Sequence, residues 1–129
     1  MSNYIETIER IASTVVAENA PRVDSGEFPQ ATVDALAESG LLGLITAKDM
    51  GGMGEGPRAA AMVVERLARE CASSAMVICM HYSGAAVIEQ YGQEETRKAI
   101  ARGEHLSTLA FSESGSRSQF WAPLSTAEK

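Results

Sequence analysis

The residues best equipped for chemistry lie near the end of the sequence, at positions 109–120, in the stretch LAFSESGSRSQF. Serine hydroxyls at 112, 114, 116 and 118 can both give and accept hydrogen bonds. Arg117 carries a permanent cation, and Glu113 is the one acid among them. The stretch starts apolar and strand-like and then turns into small residues around Gly115. A strand end that opens into small residues leaves backbone N–H groups free to meet an anion or a carbonyl. It reads either as the cradle of a phosphate-bearing cofactor or as a serine-rich surface turn.

Other residues are ambiguous in the same way. His81 sits on an apolar helical stretch with Met76, Met80 and Tyr82. That spacing suits core packing, and methionine also lines adaptable pockets. His105 lies beside Glu104 and reads as solvated. The glycines of LITAKDMGGMGEGP, at 44–57, mark a loop. No strand–loop–helix unit surrounds them, so they do not make a dinucleotide fingerprint. No cluster of His, Cys and acids has metal-ligand spacing, and no nucleophile elbow is present.

The elements that must position these residues are mostly helical. Tyr4, Ile5, Ile8, Ile11, Ala12, Val15 and Val16 recur at steps of three and four, the stripe of an amphipathic helix. Asn3 and Glu6 resemble a capping pair, and Pro21 closes the segment. A second helix starts at Pro29 and turns Val33, Leu36 and Ala37 inward. Gly40 before Leu41 reads as a left-handed cap. A third helix, about 57–71, places Ala61, Val64, Leu67, Ala68 and Cys71 inward and Arg58, Glu65, Arg66 and Arg69 outward. Ser73 and Ser74 offer the next N-cap. The helix that follows, to about Tyr91, is apolar nearly all round, which implies burial inside a larger assembly. A short fifth helix, 94–102, ends at Gly103. LSTLAFS then reads as a strand, and a domain boundary falls near Glu104, giving 1–104 and 105–129.

Composition bounds the rest. The 129 residues carry 45% hydrophobic side chains, enough for one domain's core. Eleven basic and seventeen acidic residues leave a net charge of −6. That sign argues against nucleic acid or an anionic membrane as the main partner. Cys71 and Cys79 lie in apolar surroundings and read as reduced thiols. The first ten residues, MSNYIETIER, carry acids where a signal peptide would carry Lys or Arg. The most apolar stretch, 75–88, is too short to span a bilayer. A soluble, cytoplasmic protein is expected.

Several segments, in order, resemble the N-terminal part of the acyl-CoA dehydrogenase family. FPQATVDALAESGLLGL is similar to the family's second helix and its exit, and DMGGMG to its glycine loop. AAAMVVERLARECASSAMVICMHYSGAAVIEQYGQEETRKAIARGE resembles the helices that follow. LAFSESGSRS lies where the family has a strand and a T-E-P-x-A-G-S-type loop.

The resemblance implies an all-α, antiparallel helical N-terminal domain ending in the first strand of a β-domain, with a C-terminal helical bundle elsewhere. It implies FAD between these parts and a neighbouring subunit, and α,β-dehydrogenation of an acyl-CoA thioester, as in fatty acid metabolism. By the same match, Leu109 and Phe111 lie against the flavin and Ser112 hydrogen-bonds it. Gly115 and Arg117 belong to the cofactor loop, and Ser118 touches both flavin and acyl-CoA. Met80 and His81 would line the acyl pocket. Three departures stand out: Ser114 replaces the usual proline, Arg117 a glycine and Gln119 an aspartate. Arginine resists left-handed backbone angles, so the loop is expected to bend differently, with its guanidinium available to a phosphate.

The family's base belongs to the bundle, so no catalytic residue is expected in this chain, which reads as a fragment or split half, inactive alone. The implied partners are acyl-CoA, an electron-transfer acceptor, and a homo-oligomer or a complementary chain carrying the β-domain and bundle. Two rival readings are a flavin-dependent monooxygenase or oxidase on the same scaffold, and a non-enzymatic helical module that binds a partner.

Overall fold

A computed structural model describes residues 4–117, 119 and 121–128. The elements in chain order are α1 (Tyr4–Ile11), a π-helical segment (Ala12–Val16), α2 (Ala17–Asp24), α3 (Gln30–Glu38), α4 (Pro57–Ala68), α5 (Ala72–Tyr91) and α6 (Glu94–Ala101). Short 3-10 turns at Leu41–Gly43 and Lys48–Met50 lie between α3 and α4. The expected Asn3 cap falls outside the described residues.

The first helix runs further than its proline suggests. The helical backbone continues through Ile11 and Val16 without a break in conformation. The Ala17 N–H reaches back five residues to the Ala12 carbonyl, the wide turn of a π-bulge. Ala12 and Val16, four residues apart and so on one helical face, both point into the core, at 0% and 1% exposure. Pro21 sits inside α2, and the helix closes three residues later at Asp24. A proline there removes one backbone donor and crowds the carbonyl four residues back, yet the helix continues past it with Val23 buried at 7% exposure.

Ile11, Leu36, Leu41, Leu42, Leu44, Val63, Leu67 and Ile78 form the fully buried centre. The inward face of α4 is Ala59, Val63 and Leu67, whereas Ala61 and Ala68 are exposed. Both stripes have helical period, and which one turns inward is decided by packing against α1 and α5. Arg66 is drawn in rather than left outside. Its guanidinium joins Glu9 of α1 at 2.5 Å and Glu70 at 2.9 Å.

Neither serine caps α5. Cys71 is the N-cap, in extended backbone, and its sulfur accepts the Ser74 N–H at 3.5 Å. Two-thirds of the way along, α5 meets the extended tail, and it leaves Met76 and Val87 exposed at 60% and 44%. The expected helix without a solvent face therefore has an open apolar side.

Among the described residues there is no β-strand. After Gly103, with φ +75, residues 104–109 alternate exposed and half-buried, the two-residue period of an extended chain, and through 113 the segment has no ladder partner among the described residues. The expected first strand of a β-domain is thus an extended segment here, because a strand is completed only by hydrogen bonds to a neighbour. No helix among the described residues is long and apolar enough to cross a membrane.

Candidate functional site

The tail edge and its loop form the first part of the candidate site. Leu109 is half-buried, while Phe111 and Ser112 are exposed. The backbone N–H groups of residues 109–112 make no hydrogen bond to another described residue, and neither does the Ser112 hydroxyl. The edge therefore offers donors, a hydroxyl and an aromatic face to a ligand. Ser118 lies outside the described residues.

The loop beyond this edge turns back on itself. Gly115 has φ +90 and Arg117 has φ +53. The arginine adopts the left-handed conformation that a glycine would take at no cost, so the loop bends despite the substitution. Left-handed backbone costs a side-chain-bearing residue roughly 1–2 kcal/mol, and such strain concentrates at functional loops. Arg117 is exposed and has no ion-pair partner among the described residues.

Glu113 had no role in the sequence reading and turns out to be the loop's clasp. Its carboxylate accepts the Leu124 N–H at 2.6 Å, the Ser125 N–H at 2.7 Å and the Ser125 hydroxyl. Those bonds favour the charged form, the Ser125 hydroxyl most, and hold the carboxyl below the ordinary glutamate range. Ser116 is buried beneath, its hydroxyl donating to the Glu113 carbonyl at 3.0 Å. An acid followed eleven residues later by adjacent N–H groups has no signature that sequence spacing reveals.

A second feature is an apolar groove of about 730 Å³ between α4 and α5. Ala60, Ala61 and Val64 form one wall, and Cys79, Ser83 and Ala86 the other. Its size suits a small ligand. Glu89 stands at the rim, where Arg97 donates to it at 3.1 Å and the Ala47 N–H at 3.2 Å. The Arg97 bond, with further help from Ala47, keeps Glu89 below the ordinary range, outweighing its partial desolvation. A carboxylate held charged by an arginine is a structural anchor and a poor proton acceptor.

Met80 is half-buried on α5 and does not line the groove. His81 does not line it either. It is fully buried, with Nε2 2.9 Å from the Leu42 carbonyl and Nδ1 accepting the Ser107 N–H at 3.0 Å. Those partners assign the tautomer: the proton is on Nε2. Beside it, the Tyr82 hydroxyl donates to the Leu41 carbonyl at 2.8 Å.

The glycine loop at 44–57 is a packed connector. The N–H groups of Gly51, Gly52, Met53, Gly54 and Glu55 each bond a carbonyl of residues 43–48, which leaves none of those five for a phosphate. Gly52 packs so closely that an added Cβ would lie 2.1 Å from the Thr46 carbonyl oxygen. Among the described residues, no group of His, Cys and acids can hold a metal ion, and both cysteines are free.

A protein-family model described as "Acyl-CoA dehydrogenase, N-terminal domain" matches residues 2–103. The sequence is 30% identical to a 3-sulfinopropanoyl-CoA desulfinase of Paraburkholderia xenovorans, over 75% of this chain and 26% of that protein. It is 31% identical to a probable acyl-CoA dehydrogenase of Bacillus subtilis, over 81% of this chain and 27% of the relative. A short-chain specific acyl-CoA dehydrogenase of Clostridium acetobutylicum is 25% identical, over 84% and 30%. The chain thus spans little more than a quarter of the length of these relatives. No solved structure matches.

Proposed function

Because the chain belongs to the acyl-CoA dehydrogenase family through that family's N-terminal domain, we propose that it is the helical part of an FAD-dependent enzyme acting on an acyl-CoA thioester. Dehydrogenation between the α and β carbons is the reaction proposed. The helical domain ends near Glu104, and the tail from residue 105 opens the part that meets the cofactor.

One observation supports this reading above the others. Where the resemblance of LAFSESGSRS to the family's loop implies flavin contacts, beyond the residues 2–103 that the family model matches, the chain exposes the Ser112 hydroxyl and the Phe111 ring, and neither that hydroxyl nor the N–H groups of residues 109–112 have a partner among the described residues. These groups fit one edge of a flavin. Ser112 donates to it or accepts from it, the neighbouring N–H groups meet its carbonyl oxygens, and Leu109 and Phe111 cover it from water. Ser118 belongs to the same contact set and extends it towards the acyl-CoA. Arg117, with its left-handed backbone and no ion-pair partner among the described residues, would meet a phosphate. The chemistry supplied by a bound flavin is hydride acceptance from the substrate's β carbon.

The apolar groove beside α5 takes the acyl chain. Its walls are small side chains, which leave room for methylenes, and each buried methylene is worth about 0.8 kcal/mol. No residue of this chain is assigned as the base. Glu89 is held by Arg97 and Glu113 by Leu124 and Ser125. The base, the remaining flavin surface and the electron acceptor's site belong to the C-terminal parts or to another subunit. Those parts also cover the open side of α5.

The desulfinase relative favours a second reading in which the thioester is the same class but a bond other than C–H is broken. The experiment is a dye-reduction assay with FAD and acyl-CoA substrates of several lengths. The 129-residue chain alone should give background rates. No residue of it is assigned as the general base, which typically contributes about 10²–10⁴-fold, and it offers only one edge of the site, short of the positioning that can supply roughly 7–11 kcal/mol. Activity should return when a chain carrying the β-domain and bundle is added. Sustained turnover by the chain alone would refute the assignment, and thioester binding without dye reduction in the complete assembly would favour the second reading.

A further inference from the structure

We propose that His81 is a positioning residue that docks the tail edge, residues 105–112, onto the helical domain in one register. The claim that this edge faces flavin rests on the function proposed above; the docking itself does not.

The geometry has three parts. First, the His81 ring bridges two backbones that share no other hydrogen bond among the described residues. Nε2 donates to the Leu42 carbonyl in the 3-10 turn, and Nδ1 accepts the Ser107 N–H in the tail. A neutral imidazole has one donor and one acceptor, and both are used. Second, Gly84, one turn along α5, lets the tail backbone lie directly on the helix. A Cβ there would stand 2.8 Å from the Thr108 carbonyl oxygen and 3.1 Å from the Ser107 Cβ. Third, the His105 ring reaches the Ser107 hydroxyl at 3.1 Å, tightening the same short segment.

No other described hydrogen bond ties residues 105–112 to the helices. The segment has no ladder of its own, so its register is set at this contact. Ser107 is five residues from Ser112, and in extended chain a slip of one residue moves every following side chain to the opposite face. The same helix carries Cys79, Ser83 and Ala86 on the groove. One rigid element thus fixes both the groove wall and the edge, and His81 is the joint between them.

The test separates the two bonds of the ring. In His81→Asn the side-chain oxygen takes the place of Nδ1 and can still accept from Ser107, but the amide is too short to reach Leu42. In His81→Gln the amide nitrogen reaches Leu42, while the acceptor facing Ser107 is lost. Amide exchange is followed residue by residue on the 129-residue chain, with the urea midpoint as the measure of global stability. The Ser107 amide should exchange roughly 2–13-fold faster in the Gln variant. In the Asn variant it should stay near wild type once both are corrected for global stability. Gly84→Ala leaves the ring untouched and keeps a good helix former in α5. It should speed exchange at Ser107 while the other α5 amides remain protected, so the idea can be tested even if both His81 variants fold poorly. Equal Ser107 exchange in the Asn and Gln variants would overturn the proposal, as would an unchanged Ser107 rate in Gly84→Ala. Failure of FAD to protect residues 109–112 in the assembly completed by a chain carrying the β-domain and bundle would remove the flavin reading and leave this docking intact.

Discussion

Glu113 and Leu124 are joined by a 2.6 Å hydrogen bond from the Leu124 N–H to the Glu113 carboxylate. With the two bonds from Ser125, it closes the segment that carries Gly115, Arg117 and Trp121.

The clasp depends on charge. Glu113 is held below the ordinary glutamate value of 4.5 by its bonds to Ser125 and Leu124. A depressed carboxylate contributes order that is complete above 4.5 and is lost as pH falls through the lower folded value. Trp121, the sole tryptophan, reports on it. Its emission should shift on acidification with a midpoint under 4.5. Glu113→Gln should show the shifted emission already at neutral pH. A variant identical to wild type at every pH would show that the clasp does not order the loop.

Arg117 stands at φ +53. Arg117→Gly removes the Cβ penalty, so the loop should close more firmly by about 1 kcal/mol, a roughly fivefold slowing of local amide exchange. Faster exchange would mean that the guanidinium holds the loop, and the strain argument would fail.

Gly52 and Gly56 make a matched pair. A Cβ at Gly52 meets the Thr46 backbone at 2.1 Å, whereas one at Gly56 meets nothing within 4 Å. Gly52→Ala should lower the urea midpoint by an amount equivalent to about 1–3 kcal/mol, the range of core overpacking. Gly56→Ala should stay within about 0.5 kcal/mol of wild type. Equal effects would mean that the loop rearranges freely.

His81 is depressed, chiefly by burial and secondarily by the nearby His105, against the opposing pull of the Leu42 bond. The folded state therefore binds fewer protons than the unfolded chain. Its stability is full above the ordinary histidine value of 6.5 and falls as pH drops below it towards the folded value. Between pH 7 and 5, His81→Asn should lose less stability than wild type. Parallel slopes would place the histidine's protonation outside the folding equilibrium.

Much of the helical frame was legible because periodicity follows from burial. Ile8, Ile11, Val33 and Leu36 read inward and are inward. The inner face of α4 was misread at Ala61 and Ala68, since alanines fit both the core and the surface and only the neighbours decide. Pro21 reads locally as a stop, but the helix carries it and closes three residues later at Asp24. The Cys71 cap was hidden behind two better capping residues. At the candidate site, the turn around Gly115 was legible in its small residues, and Gly115 stands there at φ +90. The Glu113 clasp and the His81 bridge were not, because both join a side chain to backbone groups, and backbone groups leave no trace in residue identity.

The central claim is that residues 109–118 form one edge of a flavin site, and FAD titrated into the isotopically labelled 129-residue chain, joined by a chain carrying the β-domain and bundle, tests it most directly. The amides of Ala110, Phe111, Ser112 and Arg117 should shift together as FAD is added, while those of Gly51, Gly52 and Gly54 stay in place. Ser112→Ala removes one hydrogen bond and should weaken the same response by roughly 2–13-fold, the equivalent of about 0.5–1.5 kcal/mol. Shifts confined to the glycine loop, or an unchanged affinity in Ser112→Ala, would contradict the account.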